Sequence, residues 1–272
     1  MGYVLTTPER PGEGLRAVLL AEIDAARADL ASDAADVEAV HSARKHFKKA
    51  RAVLRLLRPC VGKPAKQENT RFRDFGRSLA GARDAAAMVE ALDREALHME
   101  GAVDPAILSR VRAELVRRME PHRGEAADLE RAVAETRVGL AEAGARISDW
   151  SVPGKGFGIL APGLEACYGQ GRQALAACGE AATTEGFHEW RKRVKDHWYH
   201  MRLLAPAWPG GLDARVAELK ALSDLLGNDH DLAVLRQHLS EDPDLLAAGG
   251  GALDAPLASR QAALQCEALD LG

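Results

Sequence analysis

Residues 41–59 read HSARKHFKKARAVLRLLRP and contain seven Lys or Arg residues but no Asp or Glu, although the whole chain carries a formal net charge of −4. On a helix at about 100° per residue, the apolar positions of this stretch gather on one arc. They are Val40, Ala43, Phe47, Ala50, Leu54 and Leu57. The opposite arc is basic, so the pattern predicts an amphipathic helix with a buried stripe and a cationic face.

A second stretch, HEWRKRVKDHWYHMRLLAP at residues 188–206, repeats the first at an offset of 147 residues. Eight of the 19 positions are identical: His41/His188, Arg44/Arg191, Lys45/Lys192, Lys48/Lys195, Arg55/Arg202, Leu56/Leu203, Leu57/Leu204 and Pro59/Pro206. Apart from the Leu-Leu-Pro end, the identities fall on the polar arc. A period this long predicts duplication of a whole helical domain, with a first repeat over 1–150 and a shorter second repeat over 151–272.

Helical spacing of apolar residues continues through nearly all of the chain, and no convincing alternating strand is present. We therefore predict an all-α fold. The predicted helices are 12–32, 38–58, 66–98, 104–120, 124–148, 158–179, 184–205, 212–239 and 254–270. Pro59 and Pro206 are expected to stop helices, and Asp104 is expected to cap the helix that Pro105 begins.

The composition limits the class of protein. Charged residues make up 28% of the chain and aromatic residues 4%, a mixture that favours helix. No apolar run approaches the roughly 18 residues of a membrane span, and no signal pattern is evident, so a cytoplasmic location is expected. The four cysteines, Cys60, Cys167, Cys178 and Cys266, have no metal-ligand spacing and are expected to be small buried thiols.

The basic face has two interpretations, a solvated surface or a site for a polyanion. A solvated helix face normally mixes charge signs, whereas on this face positive charges stand at i,i+4 spacing and repel one another. The face also uses Arg and His beside Lys, which are donors suited to phosphate oxygens, and it occurs twice. These observations favour the polyanion site.

The doubled motif H-x-x-R-K-x-x-K-x-x-x-x-x-x-R-L-L-x-P, followed by LAGARDAAAMVEAL in one copy and LLGNDHDLAVL in the other, resembles the CHAD family. The resemblance spans essentially the whole chain. It implies two pseudo-symmetric helical bundles around a basic cavity, and binding of inorganic polyphosphate, sometimes beside a CYTH triphosphatase domain. No CYTH-like region is evident, so we expect a stand-alone, non-catalytic binder without a cofactor or metal, with polyphosphate granules as a further expected location.

The resemblance also implies a set of phosphate ligands. They are His41, Arg44, Lys45, Lys48, Arg51, Arg55 and Arg73 in the first repeat, and His188, Arg191, Lys192, Lys195, Arg202 and Lys220 in the second. Weaker candidates are Arg83, Arg110, Lys155, Arg172, Tyr199 and Arg260. Lys49 and Arg58 have no basic counterpart in the other copy and are expected to be solvated surface.

Clustered cations should lower the pKa of His41 and His188, so that these residues donate as neutral imidazoles and strengthen the site at mildly acid pH. Affinity for the polyanion should fall steeply with salt.

Three other readings remain open at the level of sequence. Asn228-Asp229-His230-Asp231 suggests a metal-dependent phosphohydrolase, although the first copy has Arg83-Asp84 at the matching place. Nucleic acid offers the same phosphates, but the basic face has few aromatic residues for base stacking. The basic faces could also dock an acidic partner protein. The sequence leaves the oligomeric state open.

Overall fold

The computed structural model describes residues 2–6, 10–31, 37–118, 125–152 and 155–272, except for the side chains of residues 81–85 and 125. These residues form α-helices and short 3-10 turns and contain no β-strand, which confirms the all-α prediction. The helices are α1 (Pro11–Asp29), α2 (Val37–Val61), α3 (Lys63–Ser78), α4 (Gly81–Glu95), α5 (Pro105–Arg117), α6 (Glu125–Ser148), α7 (Ala161–Glu180), α8 (Thr184–Leu204), α9 (Gly211–Glu241), α10 (Pro243–Ala247) and α11 (Asp254–Leu271). No described helix combines the length and apolar character that crossing a membrane requires.

The chain divides into two compact units that are interleaved along the sequence. The first unit comprises Met1–Ala80, Arg123–Arg172 and Arg193–Leu219, and the second comprises Gly81–His122, Gln173–Lys192 and Lys220–Gly272. These units do not coincide with the sequence repeats at 1–150 and 151–272, and the pseudo-symmetric duplication stays a prediction.

In the first unit, α2 packs against α1 and α3, and α6 packs against the same two helices. Large side chains that are fully buried, Leu19, Phe47, Leu56 and Phe72 among them, form the core of this unit. Three of its phenylalanines meet edge to face or tilted, with ring centroids 5.8–6.1 Å apart. This core fixes the position and rotation of α2.

The second unit has a separate core. Its α4 packs against α5, and α5 packs against α10. Leu92, Val111, Leu235, Leu253 and Leu257 are at most 1% exposed in this core.

The predicted apolar stripe of α2 is confirmed, because all six of its side chains are buried. Ala52, Val53 and Leu56, which lie outside that stripe, are also fully buried. The C-terminal half of α2 is therefore enclosed on more than one side, and the cations carried there, Arg51 and Arg55, are half-buried rather than freely solvated.

The prediction that Pro59 stops α2 is wrong, since the helix continues to Val61. Proline in a last turn removes only one hydrogen bond, and the amide of Gly62 still donates to the Arg58 carbonyl at 2.9 Å. The chain turns at Gly62, whose φ of 73° lies in the left-handed region that glycine adopts most easily. α3 begins at the next residue.

The single helix predicted over 66–98 is also wrong, because α3 ends at Ser78 and α4 begins at Gly81. Gly76, Ser78 and Gly81 are weak helix formers around the break, and Leu79 between the two helices is fully buried. The predicted cap at Asp104 is confirmed, since its Oδ1 accepts from the amide of Ala106 at 2.8 Å.

α7 approaches α2 so closely that only glycine fits at residue 163. A Cβ there would lie 2.5 Å from the Leu56 carbonyl oxygen. This approach brings Cys167 and Gln170 of α7 to a cavity that Arg55 of α2 also lines. Cys167 and Cys178 are buried as expected, whereas Cys60 is partly buried and Cys266 is exposed, contrary to the prediction for all four.

Candidate anion-binding site

The cations of α2 fall into two groups that have different neighbours. One group faces α1: His46 Nδ1 lies 2.5 Å from Glu22 Oε2, and Lys49 Nζ lies 3.2 Å from the same oxygen. Glu22 is buried, so its charge needs these partners. The prediction that Lys49 is solvated surface is therefore wrong, and Lys49 has a structural role.

The other group faces α3 and includes the residues predicted to bind phosphate. Arg44 Nη1 donates to the Gly76 carbonyl at 2.7 Å, and Arg51 Nε donates to Asn69 Oδ1 at 3.3 Å. Both acceptors are neutral. The contact with Asn69 orients the Arg51 guanidinium without cancelling its charge.

The electrostatics of Arg51 show how closely the cations are gathered. Burial, and then the charges of Arg55, Arg73 and Arg77, lower the pKa of Arg51 to about 10, while Asp196 opposes them. Arg77 was missed from sequence. Its spacing of four residues from Arg73 on α3 was the available signal.

Arg55 has a charged partner, since its Nη1 lies 2.5 Å from Asp196 Oδ1 of α8. Asp196 occupies the position that the repeat aligns with Lys49, so the pairing could not be inferred from the alignment. Because the Asp196 carboxylate is buried, it holds Arg55 in one orientation beside Arg51.

The remaining predicted ligands of the first unit have varied surroundings. Lys45 and Lys48 are exposed on α2, while His41 and Lys195 are half-buried. Arg73 is exposed and its Nε donates to Asp74 at 2.9 Å.

The guanidinium carbon of Arg202 lies 4.8 Å from the Trp198 ring centroid, so Arg202 is stacked on an aromatic ring, unlike its repeat counterpart Arg55.

The second unit contains the other group of predicted ligands. His188 Nδ1 lies 3.1 Å from His230 Nδ1, so one imidazole donates an N–H to the other. The pKa of His188 is lowered, first by burial and then by Lys192 and Arg191. The predicted direction is confirmed, but burial contributes more than the neighbouring cations.

Arg191, on the same helix, is a largely buried cation. Its Nε is buried and has no hydrogen-bond partner among the described residues. Burial lowers the pKa of Arg191, and Asp231 and Asp229 raise it. A buried guanidinium N–H without an acceptor is the group that an oxyanion would satisfy.

Lys192 and Lys220 are exposed and lie in local ion pairs. Lys192 Nζ is 2.5 Å from Glu189, and Lys220 Nζ is 2.6 Å from Asp224 Oδ1. Exposed pairs at this helical spacing are weak, so either Lys could exchange its carboxylate for a phosphate.

Among the weaker candidates, Tyr199 requires a correction. It was predicted as a possible ligand, but its side chain is 6% exposed and meets Tyr3 edge to face at 5.8 Å. Arg260 forms an ion pair with the buried Glu95 at 3.1 Å, and Arg110 donates to the Ala248 carbonyl at 3.4 Å. Both arginines therefore have structural partners.

The last three weaker candidates have no contact described here with the other predicted ligands. Lys155 and Arg172 are exposed. The side chain of Arg83, like that of Asp84, lies outside the described residues.

The side chains of the proposed phosphohydrolase motif serve other partners. Asp229 is buried and its Oδ1 accepts from Gln261 at 3.1 Å and from Gln265 at 2.7 Å. Asp231 lies 3.6 Å from Arg94. Within the described part of the chain, no group of three His, Cys, Asp or Glu side chains is arranged to hold a metal ion.

The fold and these cationic helix faces define an all-helical domain suited to binding anions. The sequence profile of the CHAD domain matches residues 16–240. The chain therefore belongs to the CHAD domain family, which is associated with polyphosphate binding.

A solved structure has the same fold. The crystal structure of the CHAD domain from the plant Ricinus communis aligns with a TM-score of 0.69 and 18% identity, covering 95% of this chain and 89% of that one. A search of curated proteins gave no significant match.

Proposed function

We propose that this protein binds inorganic polyphosphate, without catalysis of its own, through the cationic face that α2 presents toward α3. The observation that carries the proposal is the gathering of Arg51, Arg55, Arg73 and Arg77. Burial first, and then the charges of the other three arginines, lower the pKa of Arg51 to about 10. The neutral acceptor Asn69 holds Arg51, so an incoming phosphate would relieve the repulsion that Arg51 meets from its neighbouring arginines.

Polyphosphate is favoured over nucleic acid by the chemistry of this face. Its predicted ligands in α2 are Arg, Lys and one His, with no aromatic ring on which a base could stack. The phenylalanines nearby are used in packing: Phe47 and Phe72 are buried in the core. A face of this kind would recognise closely spaced phosphates and offer nothing to the bases.

The direct test is a titration with long-chain polyphosphate and with single-stranded DNA at equal phosphate concentration. We expect polyphosphate to bind at least tenfold more tightly. Equal affinity for the two polymers would refute the choice of polyphosphate and favour the nucleic-acid reading. Release of orthophosphate on prolonged incubation with a divalent metal would contradict the non-catalytic part of the proposal.

The location of the site is tested by K45E/K48E, since both lysines are exposed on α2 and their replacement leaves the core intact. This variant should lose at least tenfold in affinity for long-chain polyphosphate. R27E/R131E changes the charge by the same amount at two exposed positions of α1 and α6 and serves as the matched control. A loss of equal size in both variants would mean that only overall charge matters.

A further inference from the structure

The first unit contains a second cationic region, at the corner where α2 ends and α3 begins. A cavity of about 430 Å³ lies there, and its walls include Leu54 and Ala65 as well as polar groups. Its charged lining comes from Arg55, Arg58, Lys66 and Arg193. Asn69, Gln170 and the buried Cys167 complete the polar part of the wall.

An open groove adjoins this cavity, because Arg58 and Lys66 line both. The groove adds Lys63 and Arg71 to the cationic lining. Among the residues that the structure describes, none that lines the cavity or the groove is Asp or Glu. The corner therefore presents six cations along one continuous surface.

The pairing of these cations separates structural residues from available ones. Arg71 lies 2.6 Å from the buried Glu68, which Arg146 also contacts, and Arg55 is paired with Asp196. By contrast, Arg58, Lys63 and Lys66 form no ion pair with any residue that the structure describes. Because no carboxylate neutralises these three neighbouring cations, they can bind an anion from solution.

The cavity is contiguous with the proposed binding face. Arg55 belongs to both, and Asn69 accepts from Arg51 while also lining the cavity. From Arg44 to Arg58 the α2 axis covers about 21 Å, at about 1.5 Å per residue. A short phosphate cluster can occupy one part of this length, whereas an extended chain can occupy the whole of it.

We propose that the corner formed by Arg58, Lys63 and Lys66 is a second phosphate subsite, which takes a further segment of a polyphosphate chain already bound on the α2 face. This inference rests on the proposed function. Because the two subsites are linked through one ligand, occupation of the second becomes intramolecular and strengthens long chains selectively. The subsite thus makes affinity depend on chain length.

The test uses R58E/K66E, in which both altered side chains are exposed, with R27E/R131E as the charge-matched control. Calorimetric titration with tripolyphosphate should give one more bound molecule per wild-type chain than per R58E/K66E chain. Affinity for long-chain polyphosphate should fall at least tenfold in R58E/K66E and less than threefold in the control.

The outcomes distinguish this inference from the proposed function. If R58E/K66E binds long chains and tripolyphosphate as the wild type does, while K45E/K48E is impaired, the corner subsite is refuted and the α2 face stands. If long chains do not bind but one tripolyphosphate binds and is lost in R58E/K66E, the corner is an anion pocket and the proposed function fails. Circular dichroism of both variants checks that the helices are retained.

Discussion

The positive charge of Arg51 destabilises the free protein but favours the binding of an anion. Its charge is held at a half-buried position, and burial, followed by the charges of Arg55, Arg73 and Arg77, lowers its pKa to about 10. Because the folded-state pKa lies below the ordinary value, the charged form of Arg51 destabilises the folded protein. This loss of stability is relieved only as pH rises from the folded-state pKa toward the ordinary one.

We therefore expect R51Q to raise the melting temperature of the free protein by roughly 2–4 °C, the shift that about 1 kcal/mol gives in a domain of this size. The same change should weaken polyphosphate binding about tenfold. Differential scanning fluorimetry with and without polyphosphate measures both effects. A variant that is less stable and binds normally would show that Arg51 is a structural residue.

Arg146 provides the opposite case. Its Nε donates to the buried Glu68 at 2.8 Å, so R146Q weakens the solvation of a buried carboxylate. We expect R146Q to lower the melting temperature by several degrees and to leave polyphosphate affinity within twofold of the wild type. The pair of variants separates a cation that stabilises the fold from one that binds ligand.

His188 should titrate below an ordinary histidine in the folded protein. Burial, more than its cationic neighbours, lowers its pKa, so acidification protonates the unfolded chain first, and stability falls as pH drops from about 6.5 toward the folded-state pKa. NMR titration of the imidazole signals measures the folded-state value, and a His188 pKa at or above about 6.5 would contradict this prediction.

Single side chains were also where sequence reasoning failed. Arg51 was predicted as a ligand and Lys49 as solvated surface, but the sequence could not show that Asn69 of α3 lies beside the one and Glu22 of α1 beside the other. Pairing of this kind is a tertiary property. Arg58 was set aside because the other copy has Ala205 at its position, although Arg58 lines the cavity.

At the scale of helices, the sequence predicted burial correctly where the apolar residues of a helix repeat at helical spacing and face one core. The apolar stripe of α2 was predicted residue by residue because every member faces one core. The break between α3 and α4 was missed because the apolar spacing continues across it. What interrupts the helix is the weak propensity of its glycines and the burial of Leu79, which the spacing alone does not reveal.

The contact between α7 and α2 gives a prediction at this scale. G163A places a Cβ 2.5 Å from the Leu56 carbonyl oxygen, a backbone atom that cannot rotate away. α7 must then shift, and we expect the free energy of unfolding to fall by about 1–3 kcal/mol, as overpacking usually costs.

The matched control is G169A on the same helix, where a Cβ meets nothing within 4 Å. Removing a helical glycine should stabilise this variant by about 0.5–1 kcal/mol. Urea denaturation measures both. G163A with unchanged stability would show that α7 does not lie as close to α2 as the structure places it.

At the scale of the whole molecule, the negative net charge repels a polyanion, whereas the local cations of α2 attract it. The net charge of the chain is −4, so a polyanion meets overall repulsion before it reaches the cations of α2. The Debye length of about 8 Å at 0.15 M ionic strength confines that repulsion, whereas contacts at the face itself persist. Local charge should therefore govern affinity at physiological salt, and net charge should matter only in dilute buffer.

This argument predicts different salt responses for two substitutions. E130Q/E135Q removes two negative charges from exposed positions of α6, and K45Q/K48Q removes two positive charges from the α2 face. At 0.15 M salt, E130Q/E135Q should change polyphosphate affinity less than twofold, and its advantage should appear only near 0.01 M, where the Debye length is about 30 Å. K45Q/K48Q should lose affinity at both salt concentrations and show a shallower salt dependence, because fewer counterions are released from the ligand. Titration across this salt range decides the point, since equal and opposite effects of the two variants at 0.15 M would mean that binding follows net charge and not the face assembled on α2.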